Sequence, residues 1–171
     1  MDRHPGGKEH SRYMIELMNL PEGAAILDMG AGAGETVGLL RVLGYNARGI
    51  DLQPRSDLVE QGDYLCAPYS NASFDGIISQ CSFYVSGNVP GALAQAHRLL
   101  KKGGILVLSD VFPQDENPEE IVQKAGFETL QMEDMTESWK QHYIQLRWQG
   151  EISKLTCDRK VEYKLILCKK L

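Results

Sequence analysis

The stretch Asp28-Met29-Gly30-Ala31-Gly32-Ala33-Gly34 places a carboxylate directly before three glycines in five positions, and Glu35-Thr36 follow. Glycine permits positive φ and, lacking a side chain, lets backbone approach a ligand closely. Two readings compete: a bare turn from strand to helix, or a cradle shaped around a bound cofactor. The dinucleotide fingerprint G-x-G-x-x-G/A fails here, because the sixth position is Glu35 counted from Gly30 and Val37 counted from Gly32. Glu35 in the first helical turn also repels a phosphate. No Gly-Lys-Ser/Thr follows, which excludes a nucleoside-triphosphate loop. A ligand without phosphate near the loop is left.

Asp51 ends a second apolar run, where an acid can accept hydrogen bonds from the vicinal hydroxyls of a ribose; nicotinamide enzymes use the same device. The four cysteines, Cys66, Cys81, Cys157 and Cys168, form no C-x-x-C pair. Their spacing suits neither a zinc site nor a disulfide framework, so no metal is expected and the thiols read as free, small buried groups. Cys81 has a second reading, as a thiol or soft ligand facing a pocket. His97 reads as a surface or boundary residue.

These residues need elements to position them. Met14, Leu17 and Met18 have helical spacing within residues 8–20. Strand-like runs occupy 24–29, 46–52, 62–66, 73–80, 105–112, 127–133 and 162–170. Helices are predicted over 34–43, in a short turn from Pro54, from Asn88 through Leu100 with Lys101 and Lys102 at its negative end, after the Asn117-Pro118 cap, and over about 136–148. Strands and helices alternate through residue 112, and the strands are apolar on both faces. That pattern implies an α/β fold with a parallel sheet covered on both sides, binding its ligand at the carboxyl ends of the strands. The 171 residues suffice for one sizeable core, and the formal net charge of −5 argues against duplex nucleic acid. With a polar start that is no secretory signal and no long apolar run, a cytoplasmic setting and no membrane span are expected.

The glycine stretch resembles the first motif of the class I S-adenosylmethionine (SAM) methyltransferases, acid-x-G-x-G-x-G, at every fixed position. Residues 62–77, GDYLCAPYSNASFDGI, are similar to the G-D-A-x-x-L-P-F-x-x-x-S-F-D segment of the small-molecule subgroup, which includes quinone-pathway enzymes; Tyr69 replaces the usual Phe. Residues 97–110 are similar to R-x-L-K-P-G-G-x-L-x-x-x-D, with Lys102 in place of Pro. The resemblance implies a Rossmann-like, seven-stranded, mostly parallel sheet in the order 3-2-1-4-5-7-6, the last strand antiparallel. It implies one domain: a lid helix over 1–20, a cofactor-binding core over 24–112 and a short acceptor-side part over 113–171.

It further implies methyl transfer from SAM to a small-molecule acceptor, leaving S-adenosylhomocysteine. Asp28 would hold the loop and face the cofactor's ammonium. Gly30, Ala31, Gly32 and Gly34 would bring backbone against its methionine half, and Thr36 would meet its carboxylate. Asp51 and Leu52 would hold the ribose and adenine, Asp63 and backbone of Tyr64 the adenine edge, and backbone of Ser79 or Gln80 the ammonium. Acceptor-side candidates are Tyr13, Cys81, Tyr84 and His142, with His4 and His10 on the same N-terminal segment. The stripe Trp139, Tyr143, Leu146 reads as core. The connection after the fifth strand is short, so the pocket is open or completed by a second subunit, a homodimer. Two other functions stay in view: a non-catalytic SAM-binding or subunit-like protein, and a nicotinamide-dependent oxidoreductase. The RNA-methylating Asn-Pro-Pro-Tyr pattern is absent at Ser79-Gln80-Cys81-Ser82.

Overall fold

The computed structural model describes residues 6–149 and 160–171. Seven strands, β1 Ala25–Met29, β2 Asn46–Asp51, β3 Glu60–Gln61, β4 Phe74–Gln80, β5 Leu100–Pro113, β6 Phe127–Asp134 and β7 Val161–Lys170, form one sheet in the order β3-β2-β1-β4-β5-β7-β6. The first five are mutually parallel, and β7 runs antiparallel between β5 and β6. The helices are α1 Gly7–Met18, α2 Glu35–Val42, α3 Val89–Leu99, α4 Pro118–Lys124 and α5 Thr136–Trp148.

Side chains alternate across a strand, so the central strands β1, β4 and β5 feed two cores. Ile26, Ile78 and Val107 pack with Met14, Ile15 and Met18 of α1 and Val37 and Leu40 of α2. Leu27, Ile77, Leu106 and Leu108 face the other way, onto Leu93 and Ala96 of α3 and Val122 of α4. Burial on both faces explains the near-continuous apolar runs. The arrangement sends the carboxyl ends of β1, β2 and β4 to one rim, with the glycine loop at its centre.

Four local expectations are corrected. The third strand is Glu60–Gln61, not 62–66; residues Tyr64–Cys66 form a 3-10 turn because the Asp63 carboxylate accepts from Leu65 N at 2.8 Å. No helix follows Pro54: residues 52–59 join β2 to β3 without one. Helix α3 stops at Leu99, and Lys101 and Lys102 belong to β5; a register shift opposite Phe74–Gly76 absorbs them, and Lys101 reaches Asp75 at 2.7 Å. Among the cysteines, Cys168 is buried but Cys66 is exposed. His4 and Cys157 lie outside the described residues, as does the side chain of Leu146.

Candidate active site

Two adjoining hollows open at the carboxyl rim. The larger, about 460 Å³, is lined by Asp28, the loop residues Gly30 to Ala33, Glu35 and Thr36 of α2, Asp51, Arg55, Gln80, Cys81 and Tyr143. The second, about 420 Å³, is walled by Leu52, Asp63, Tyr64, Leu65, Ser82, Val85 and Ser86. Gly30, Asp51 and Cys81 border both, which makes them one continuous cleft.

The loop is held by backbone and by Asp51. Gly30 N and Ala31 N donate to Ile50 O at 2.9 and 3.2 Å, and Gly32 N donates to Asp51 Oδ2 at 2.9 Å. Asp51 Oδ1 accepts from Gln53 N at 2.8 Å. Each carboxylate oxygen has two lone pairs, so Asp51 keeps an acceptor position on both. Gly30 and Gly32 sit at φ +85° and +52°, in the left-handed region. A Cβ on Gly30 would lie 2.0 Å from Ser82 Oγ, and one on Gly32 would lie 2.6 Å from Arg55 Nη2. The missing side chains therefore make room for neighbouring loops of this chain. Gly34 packs on Leu58 and Val59 and lines neither hollow.

Asp28 does not hold the loop. It is 4% exposed, it lines the larger hollow, and its carboxylate has no hydrogen-bond or ion-pair partner among the described residues. Burial, and secondarily the charge of Asp51, push its pKa up to about 7.

Thr36 is also differently engaged from expectation. Its Oγ1 lies 3.4 Å from Ser11 Oγ of α1, and Gln80 Nε2 donates to Ser11 Oγ at 3.0 Å and to Thr36 Oγ1 at 3.4 Å. These bonds bind the N-terminal helix to the cleft floor. Met14, Ile15 and Met18 sink into the core, so α1 is a packed layer beside the cleft and not a loose flap. Ser79 is wholly buried; its hydroxyl donates to Met29 O at 2.8 Å, and it lines neither hollow.

The acceptor-side candidates divide. Cys81 borders the cleft, adopts φ +52°, and lies 3.2 Å from Tyr163 Oη. Burial pushes its thiol up to about 12, so it is a neutral hydrogen-bonding group and not a nucleophile. Tyr13 turns outward, because the neighbouring Met14 and Ile15 face the core; its hydroxyl donates to Glu133. Tyr84 uses its backbone N–H on Asp110 and its side chain lines neither hollow. His142 lies edge-on to Tyr143, with Nε2 buried and without a hydrogen-bond partner among the described residues, and also stays off the cleft. His10 is buried against Ser109 at 2.9 Å. The late aromatic stripe is core at Trp139, which stacks on Tyr163, and cleft wall at Tyr143.

Two further residues shape the cleft and had no role assigned to them from the sequence. Asp110, buried at the end of the motif over 97–110, accepts from Ser82, Phe83 and Tyr84 N at 3.1, 2.8 and 3.2 Å and from Val111 N at 2.8 Å. It shapes the turn that rims the second hollow. Burial outweighs those four donors and raises its pKa to about 6. Arg55 is the other, a lining residue of the larger hollow; its signal was the short gap between the expected strands 46–52 and 62–66.

Comparison with known proteins agrees with this geometry. Residues 8–150 match a family model described as a methyltransferase domain. A sarcosine/dimethylglycine N-methyltransferase of Aphanothece halophytica is 30% identical over 130 residues, covering 66% of this chain and 47% of that one. A demethylmenaquinone methyltransferase of Tropheryma whipplei is 28% identical over 114 residues, covering 58% of this chain and 46% of that protein. The chain thus spans about half the length of these curated relatives. Among solved structures, Haemonchus contortus phosphoethanolamine N-methyltransferase 2 in complex with SAM superposes with a TM-score of 0.78 at 17% identity, covering 98% of this chain and 53% of that one. The sheet order, the acid-led glycine loop at its rim and the family match over most of the sequence lead to one statement: the chain belongs to the methyltransferase-domain family.

Proposed function

We propose that the protein binds SAM in the rim cleft and transfers its methyl group to a small-molecule acceptor. The observation that carries this is Asp28: a buried carboxylate without a partner among the described residues, facing a cavity that also offers Asp51. SAM brings two cationic groups, an ammonium and a sulfonium, and a ribose with vicinal hydroxyls. Asp28 meets the cationic end, Asp51 accepts from the ribose, and the second hollow takes the base, with Leu52 and Val85 as apolar walls and Asp63 for the amino group. Backbone of Gln80 and of Gly30 to Gly32 completes the methionine end.

The cofactor supplies an activated methyl group, which an acceptor attacks in line with the breaking C–S bond. The protein's part is position and exclusion of water. Tyr143 and Cys81 border the space left for the acceptor; the neutral thiol of Cys81 offers a weak donor, backed by Tyr163. The acceptor is taken to be a small organic molecule, with amines favoured by the names of the relatives above. The same reading takes a cytoplasmic setting, no nucleic acid, and a second subunit over the open side of the cleft.

Turnover is tested by incubating the protein with SAM and a panel of small amines, phenols and quinols, and measuring S-adenosylhomocysteine. Production with one class of acceptor supports the proposal. Binding of SAM with no turnover across the panel would favour a non-catalytic SAM-binding role. Asp51→Ala should weaken SAM binding by about 1.5–3 kcal/mol, roughly 10- to 150-fold, through loss of charge-assisted hydrogen bonds. Unchanged affinity in a titration would remove Asp51 from the site.

A further inference from the structure

The link between β2 and β3 is unusual. Parallel neighbours ordinarily need a connection of roughly a dozen residues or more, most often with a helix; here residues 52–59 do it without one. Lacking a helix to cover the sheet, the segment folds back on the glycine loop. Arg55 N donates to Gly32 O at 2.9 Å, and Ser56 Oγ donates to Ala33 O at 2.7 Å. This anchoring lays the Arg55 side chain across Gly32, where a Cβ would come within 2.6 Å of Nη2.

The guanidinium borders the larger hollow, and among the described residues it has no ion pair or side-chain hydrogen bond. It is the only cation among that hollow's described lining residues, which include the carboxylates of Asp28, Glu35 and Asp51. Neighbouring Asp51 already receives a backbone N–H on each oxygen. Thr36, the group expected to receive an anion, is committed to Ser11 and Gln80, and Glu35 beside it repels one.

We propose that Arg55 binds the α-carboxylate of the cofactor's methionine end. The inference rests on the SAM reading above and adds a recognition residue to it. A guanidinium presents two parallel N–H donors that match a carboxylate's two oxygens. The carboxylates of the hollow face the cofactor's cationic groups, and its one anionic group is left for the one cation. The β2–β3 segment then acts as the fixed arm that carries this contact, with Gly32 as its seat.

Matched ligands isolate the contact: SAM and decarboxylated SAM share the sulfonium, ammonium and nucleoside and differ in the carboxylate alone. By calorimetric titration the wild type should prefer SAM by about tenfold or more, since hydrogen bonds between charged groups are the stronger class. Arg55→Gln should lose about tenfold for SAM and hold its affinity for the decarboxylated ligand within about twofold. Arg55 is exposed, so its thermal midpoint should match the wild type. Equal losses for both ligands, or no loss for either, overturn the assignment. A wild type that binds neither ligand overturns it together with the cofactor reading, and so separates the two failures.

Discussion

Replacing Asp28 with Asn is expected to stabilise the ligand-free protein at pH 8 while crippling its affinity for SAM. In the folded chain the carboxyl is buried without a partner among the described residues and its pKa stands near 7, far above the value of an exposed aspartate. A group whose pKa is raised by folding contributes stability that is present below the unfolded pKa and lost as pH rises through the folded one. The ligand-free wild type therefore becomes less stable between about pH 4 and pH 7, by on the order of 3–4 kcal/mol. Asn carries no charge and escapes this loss. Its advantage should be absent below about pH 4 and complete above about pH 7, where the thermal midpoint should rise by on the order of 10 °C. A bound cation lowers the pKa of Asp28, so SAM affinity in the wild type should increase with pH, and binding near pH 6 should release a proton into the buffer. Calorimetry in buffers of different ionisation enthalpy reads that proton. An Asn variant that is no more stable at pH 8 than at pH 4, relative to wild type, would mean that Asp28 has a partner in the protein and is no receptor for a ligand.

Asp110→Ala should act in the opposite sense and lower stability steeply. Its carboxylate gathers the N–H groups of Ser82, Phe83, Tyr84 and Val111, and it is 2% exposed. Alanine leaves several buried donors unpaired, at about 1–3 kcal/mol each. A loss of about 3–5 kcal/mol is expected, a fall of roughly 6–20 °C in the thermal midpoint. The turn it shapes carries Ser82, Val85 and Ser86 of the second hollow. Whatever protein stays folded at low temperature should therefore bind SAM more weakly as well. A midpoint within about 1 °C of wild type would show that water replaces the carboxylate and that the turn holds its shape by other means.

The contrast between these two aspartates shows what the sequence discloses. Asp28 and Asp51 stand out because an acid at the end of an apolar run serves no packing purpose. Their partners could not be assigned from spacing: Asp51 holds the loop, and Asp28 is the one left open among the described residues. The sheet was legible because doubly buried strands leave long apolar runs, as in Ile105–Leu108. Short features decided by one side-chain bond were not, as at Asp63, which caps a 3-10 turn inside an apparent strand. Tyr13 was misplaced because helical spacing fixes which residues share a face but not where the polar flank points. Arg55 was overlooked for lack of a motif, and because Pro54 suggested a helical turn where the structure has none.

The central claim is that a sulfonium nucleoside, and no dinucleotide, occupies the cleft beside Asp28 and Asp51. Titrating the wild type at pH 8 with S-adenosylhomocysteine, with SAM and with NADH in parallel tests it most directly. The account predicts saturable one-to-one binding of the first two and no heat from the third; saturation by NADH with silence from both adenosyl ligands would contradict it.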